Sequence, residues 1–261
     1  VALGEGDNAF AVAARDTFGN QATQAAQVTV RRESVLWSET AAVAFDSLAG
    51  RALVLDPSLR MLFAVNAQTG ARTPISGPGI GQGPLWAAPR GVEFHANTLS
   101  ALVTDGELDA VFRVDLATGL RTVLTSPSVG AGPTPFDLHG IVVDEPRNRV
   151  LVVDDFLAAV LAVDLVTGAR STISSPSIGG GPPLIGGRGI ALDPIRGRAL
   201  VTALLGSVVL AVDLASGDRS VFTGGNTGTG SALVTPFDLD LDLAGDRAFL
   251  TDLGPRLLFE V

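Results

Sequence analysis

Arginine, histidine and aspartate recur along this chain at a spacing that would let them meet. Arg90, His139 and Arg188 stand 49 residues apart. Asp105, Asp154 and Asp252 fall on a second column of the same period, which also holds Asp56 and Ala203, and Asp155 follows Asp154 directly. An arginine fork holds a carboxylate or sulfate through two parallel hydrogen bonds, a histidine ligates a metal or takes a proton, and aspartates offer hard oxygen ligands to a divalent cation. The same residues also have a purely structural use, in which the aspartates cap turns and the arginines balance their charge.

The elements that must position them follow from the period. Asp46, His95, Asp144, Asp193 and Asp242 repeat at 49 residues, as do Gly70, Gly119, Gly168 and Gly217, and Arg72, Arg121, Arg170 and Arg219. So many columns do not align without an insertion by chance, and a fixed period of this length marks a repeat architecture. Within each unit lie four short β-rich runs, here named A to D, exemplified by residues 140–144, 149–153, 159–163 and 170–174. Four antiparallel strands per repeat predict the blade of a β-propeller, and no segment has the 3.6-residue period of a helical solenoid. Alternating strand directions then bring the D-to-A and B-to-C connections to one rim, the top. Arg90, His139 and Arg188 stand just before strand A, and the aspartate column ends strand B, so all six converge on that rim.

Comparison between repeats separates what every blade needs from what one blade has. The aspartate ending strand A is followed five residues later by arginine in four repeats; the repeat with His95 has Ser100 instead. That joint change predicts a structural pair across the A-to-B turn. The run Asp115-Leu116-Ala117-Thr118-Gly119 and its copies predict a C-to-D turn with a capping carboxylate and a glycine of positive φ. The long Gly- and Pro-rich connections at 126–135, 174–187 and 224–236 precede no helix and so do not make a phosphate-binding loop. They are places for binding on a rigid scaffold.

The units GIVVD…RVLVVDD and PRGVEF…ALVTDGELDAVFRVD resemble NHL-type and gluconolactonase or strictosidine-synthase-like propellers over residues 41–261. The resemblance implies an all-β fold of four full blades and a partial fifth, with a site near the axis. It implies no activity by itself. The Glu and Asn ligands that gluconolactonase-like enzymes place around a central ion are not evident, and Tyr, which the lyase relatives use, is absent. Residues 1–33 hold two alternating stretches around Asp16-Thr17-Phe18-Gly19-Asn20. Through Leu3, Asn8, Phe10, Val12, Ala14, Asp16, Gly19, Asn20, Val28 and Val30 they resemble the last two strands of bacterial immunoglobulin-like domains. The expected division is therefore an Ig-like tail at 1–33 and propeller repeats at 34–261. The fifth blade lacks strand D in the sequence, so either the chain is part of a larger propeller or strand 27–32 closes a five-bladed ring.

Composition narrows the function. Net charge is −9, and all 18 basic residues are arginine, with no basic stripe for nucleic acid. Without cysteine there is no disulfide framework, thiolate zinc site or cysteine nucleophile. No apolar run is long enough for a membrane helix, and no basic segment leads into a signal-type apolar run. The expectation is a binding or interaction module of an exported or cell-surface bacterial protein, periplasmic as the variant, in a polypeptide with further domains or blades. Its partner is a protein or glycan, anionic where it meets Arg90 and Arg188. No cofactor is called for; the alternative is a metal-dependent lactonase or lyase with a divalent cation on His139 and Asp154.

Overall fold

The computed structural model describes residues 6–12, 26–32, 42–225, 227–228 and 231–261. The chain divides into two units, Val1–Ser38 and Glu39–Val261. In the first, β1 (Gly6–Val12) and β2 (Ala26–Arg32) form an antiparallel hairpin with Gly6 opposite Arg32. The intervening turn, including Asp16, Gly19 and Asn20, lies outside the described residues, as does Leu3.

The second unit is a β-propeller. Blade 1 is β3 (Ala42–Asp46), β4 (Arg51–Asp56), β5 (Met61–Asn66) and β6 (Arg72–Ser76). Blade 2 is β7 (Pro89–His95), β8 (Ser100–Asp105), β9 (Ala110–Asp115) and β10 (Arg121–Thr125). Blade 3 is β11 (Leu138–Asp144), β12 (Arg149–Asp154), β13 (Ala159–Asp164) and β14 (Arg170–Ser174). Blade 4 is β15 (Gly187–Asp193), β16 (Arg198–Ala203), β17 (Val208–Asp213) and β18 (Arg219–Gly224). Blade 5 has three strands among the described residues, β19 (Pro236–Asp242), β20 (Arg247–Asp252) and β21 (Leu257–Glu260). Within the first unit, strand β2 pairs with β1.

Strand alternation builds the core between blades rather than within one. In β12, Val150 and Val152 pack with Leu102 and Val111 of blade 2, while Leu151 and Val153 pack with Val201 and Leu210 of blade 4. Each sheet is thus apolar on both faces, as stacked sheets require. Inner strands pack in series, β3 on β7, β7 on β11, β11 on β15 and β15 on β19.

The repeated polar columns lock these interfaces. Arg170 on β14 reaches back to blade 2, donating from Nε to Pro133 O (2.6 Å) and from Nη1 to Ser126 O (2.9 Å), Val129 O (2.7 Å) and the Thr125 hydroxyl. Arg121 and Arg219 make the same clamp one blade to either side. Beside it, a Cβ on Gly130 would lie 2.1 Å from Gly168 O, so both the positive φ and the close approach require glycine. The A-to-B pairs form as expected, for example Arg149 Nε to Asp144 Oδ2 at 2.8 Å. The C-to-D aspartates cap their turns, with Asp164 Oδ1 accepting from Val166 N (3.0 Å) and Thr167 N (2.7 Å).

Candidate functional site

A β-bulge starts the inner strand of each of blades 2, 3 and 4. The register shifts between Pro89 and Gly91, between Leu138 and Ile141, and between Gly187 and Ile190. A bulge re-aims a side chain, and Arg90, His139 and Arg188 sit in these three bulges. The bulges are pinned from strand B: the Thr104 hydroxyl accepts from Gly91 N (2.9 Å) and donates to His139 O, and the Thr202 hydroxyl accepts from Gly189 N (2.8 Å) and donates to Phe237 O (2.9 Å). Glycine follows each rim residue because a Cβ on Gly91 would lie 2.7 Å from His139 O, and one on Gly140 would lie 2.3 Å from Arg188 O.

The three side chains meet at the mouth of a central channel of about 1100 Å³. Nη1 of Arg90 donates to the His139 ring and pairs with Asp137 Oδ1 at 2.7 Å. Nη1 of Arg188 donates to His139 Nε2 at 3.1 Å and to Asp155 Oδ2 at 2.5 Å. Burial together with the Arg188 and Arg90 charges pushes His139 down to about 3. The imidazole is therefore neutral near pH 7, its Nε2 an acceptor, and its 3.6 Å approach to Asp137 is not an ion pair. The mouth is a chain of two ion pairs joined by a neutral ring. Neither Nε nor Nη2 of Arg90 or Arg188 hydrogen-bonds to a described residue, and the two side chains are 32% and 22% exposed. Space for the Arg90 guanidinium depends on Gly106, where a Cβ would lie 2.4 Å from Nε.

The aspartate column has a different place. Asp105, Asp154 and Asp252 are buried beneath the rim. Asp154 accepts Phe136 N (2.7 Å) and Leu157 N (2.9 Å); Asp105 accepts Ala87 N (2.7 Å) and Leu108 N (2.9 Å). Asp252 accepts Val234 N (2.7 Å) and Thr235 N (2.8 Å). These carboxylates tie the incoming connection to the B-to-C loop and hold the rim in shape. The sequence-based grouping of six thus separates into three side chains at the mouth and three buried carboxylates that hold backbone N–H groups. Burial raises Asp154 to about 6 despite those two hydrogen bonds, which lower it, with Asp109 and Asp137 adding to the rise.

Two acids meet His139, Asp137 and Asp155. Asp137, His139 and Asp155 each place one ligand atom within 4.8 Å of the others. The column of Asp155 carries no other acid, reading Pro57, Gly106, Asp155, Leu204 and Leu253, whereas that of Asp137 reads Glu39, Ala88, Asp137, Gly186 and Thr235, with a second acid at blade 1. Asp137 also holds a φ of 59°. Asp155 already stands out in the sequence beside Asp154, whereas Asp137 shares an acidic column with Glu39 and carries no signal of its own. Lower in the channel a second acidic set appears: Glu93 on β7 with Asp238 and Asp240 on β19, at positions where other blades carry Val, Ala or Gly. Burial, with Asp240 and Asp238 nearby, raises Glu93 to about 8.

No family model matches the sequence, and no curated protein matches it. Solved structures do match in fold. A chain from the crystal structure of a nidogen/laminin complex is 17% identical with a TM-score of 0.66, covering 85% of this chain and 75% of that one. An auxiliary nutrient binding protein from Bacteroides thetaiotaomicron is 13% identical with a TM-score of 0.66, covering 90% of this chain and 61% of that one. Another from Bacteroides ovatus is 14% identical with a TM-score of 0.65, over 89% and 61%. The chain thus spans about three-fifths of the Bacteroides proteins, and likeness at this identity establishes the propeller alone.

Proposed function

We propose that this protein is a binding module that takes a carboxylate-bearing ligand at the mouth of its central channel. One observation carries the reading: two guanidiniums from different blades face the same mouth, each fixed through Nη1 and each with Nη2 unbonded to the described residues. A guanidinium edge of that kind binds a carboxylate or sulfate with charge-assisted hydrogen bonds. Asp137 and Asp155 orient the two forks, and neutral His139 joins them without adding charge. The similar propellers named for a nidogen/laminin complex and for nutrient binding support a binding role and leave the ligand open. The ligand class is an acidic peptide or a uronate-bearing glycan. The setting that fits is the outside of a cell or its surface, or the periplasm, in company with the Ig-like hairpin and the NHL-type or gluconolactonase-like resemblance of the blades.

Arrays of acidic peptides and uronate glycans test it. Any ligand found should lose at least tenfold in affinity with Arg90→Ala or Arg188→Ala, by calorimetry, with unchanged melting temperature. Binding that survives both substitutions removes the mouth as the site.

A second reading, metal-dependent lactonase or lyase chemistry, is favoured by the mutual 4.8 Å spacing of Asp137, His139 and Asp155. Two carboxylates and a neutral imidazole suit a divalent transition metal. However, Arg90 and Arg188 are bonded to these same three side chains and would have to swing away. Stoichiometric zinc or manganese uptake abolished by His139→Ala would establish this second reading in place of the first.

A further inference from the structure

The rim around the two guanidiniums is apolar on one side. On blades 3, 4 and 5 the end of the incoming connection lies against the B-to-C loop, and each segment leaves a large apolar side chain in solvent. The pairs are Phe136 with Phe156, Ile185 with Leu205, and Val234 with Leu253, all between 45% and 73% exposed. Backbone bonds join the segments, from Leu205 N to Ile185 O (3.3 Å) and from Leu253 N to Thr235 O (3.0 Å). Blade 2 carries Ala87 and Glu107 where blade 3 carries Phe136 and Phe156, so the blade repeat does not demand apolar residues there. Phe136 and Phe156 adjoin Asp137 and Asp155 in the chain, the partners of Arg90 and Arg188, so the patch begins where the charged mouth ends.

We infer that this rim docks a protein partner through a segment that offers a carboxylate to Arg90 and Arg188 and apolar side chains to Phe136–Phe156 and Ile185–Leu205. The inference rests on the carboxylate site proposed above and deepens it by naming the partner. Charge complementarity fixes the centre of the segment, because the unbonded Nη2 groups call for an acid. Its flanks are fixed by the exposed pairs, since contiguous apolar surface rimmed by polar groups marks protein–protein contact. A sugar gains less here. Stacking wants one flat aromatic face, whereas the two phenyl rings lean on each other at 42° with centroids 4.6 Å apart, and the neighbouring blades add only aliphatic side chains.

The test is a phage-displayed library of random 12-residue peptides, panned on the wild-type protein and counter-selected on the Phe156→Ser/Leu205→Ser variant. Both positions project into solvent, so the variant should keep its circular dichroism and melting temperature. Enriched peptides should carry Asp or Glu within three residues of Leu, Phe or Trp. Their synthetic forms should bind at least tenfold more weakly to Phe156→Ser, to Leu205→Ser and to Arg90→Ala/Arg188→Ala. No enrichment, or binding indifferent to Phe156→Ser and Leu205→Ser, overturns the inference. If a uronate glycan needs the arginines but neither apolar residue, the inference fails while the carboxylate site stands. Should peptides need the apolar residues but not the arginines, both fail. A concentration-dependent dimer that disappears in Phe156→Ser/Leu205→Ser, read by sedimentation, would assign the rim to a second copy and overturn the protein-partner inference as well.

Discussion

Glu93 and His139 line one channel, and their environments move them in opposite directions. His139 is held neutral between two guanidiniums, so acidification charges it in the unfolded chain long before the folded one. Its contribution to stability is present above its ordinary value near 6.5 and is lost as pH falls towards about 3. Glu93 has the reverse sign. Raised to about 8 by burial and by Asp240 and Asp238, it binds its proton more tightly folded than unfolded. Its stabilisation is full below 4.5 and disappears as pH rises through 8. Glu93→Gln removes that loss, so its melting temperature should gain on the wild type progressively between pH 5 and pH 8. A melting-temperature difference that stays constant across this range would show that Glu93 is ionised in the folded channel. His139 titrates in both proteins and cancels in the comparison.

At the scale of the blade, the internal repeat is itself an experiment, because one blade breaks the pattern. Asp144, Asp193 and Asp46 each pair with an arginine five residues on, whereas His95 is buried, bonded to the Thr98 hydroxyl at 2.7 Å and 3.4 Å from Glu145 of the next blade. His95→Asp alone places a carboxylate there without its arginine, which costs about 3 kcal/mol. Adding Ser100→Arg supplies the partner and should recover more than half of that loss, a coupling that urea denaturation of the single and double variants measures. Additive losses would mean that the joint change of these two positions has no pairing behind it. The Arg170 clamp is more demanding, since its Nη1 serves the Thr125 hydroxyl and two carbonyls of the neighbouring blade at once. Ser126 O and Val129 O keep the backbone bonds they exchange with each other, so Arg170→Ala removes only the charge-assisted bonds and should cost about 2 kcal/mol. Arg170→Lys, with one point charge in place of a planar fork, should recover only part of it in the same denaturation series.

Across the whole molecule, the sequence carried what recurs and concealed what occurs once. Blade period, strand order, A-to-B pairs and C-to-D turns were legible because each is written four or five times, so comparison of copies exposed them. The convergence of Arg90, His139 and Arg188 was legible for the same reason, through a shared column. Asp155 was legible as the neighbour of Asp154 but its contact with Arg188 was not, and Asp137 was not legible at all, because these contacts depend on bulges and on a positive φ that no periodicity encodes. Nor does the alternation of a strand tell a rim carboxylate from one beneath the rim holding backbone N–H groups, as Asp154 does. The ring has a similar single feature. The central cavity is lined by inner strands of blades 2, 3 and 4, but towards blades 5 and 1 its lining extends to Ala52, Phe249, Thr251 and Leu258 on outer strands. Strand β21 is correspondingly bare, with Leu257 and Leu258 51% and 66% exposed, whereas its counterparts β9 and β13 are almost wholly buried. An apolar edge strand without a fourth strand among the described residues is a template for association between copies. Leu258→Lys places a charge on that edge and removes no buried contact. It should lower concentration-dependent association, measured by light scattering, while the melting temperature stays within about 2 °C because surface changes of this kind move stability little. A drop in melting temperature larger than this would show that Leu258 is packed in solution and that the edge of blade 5 is already covered.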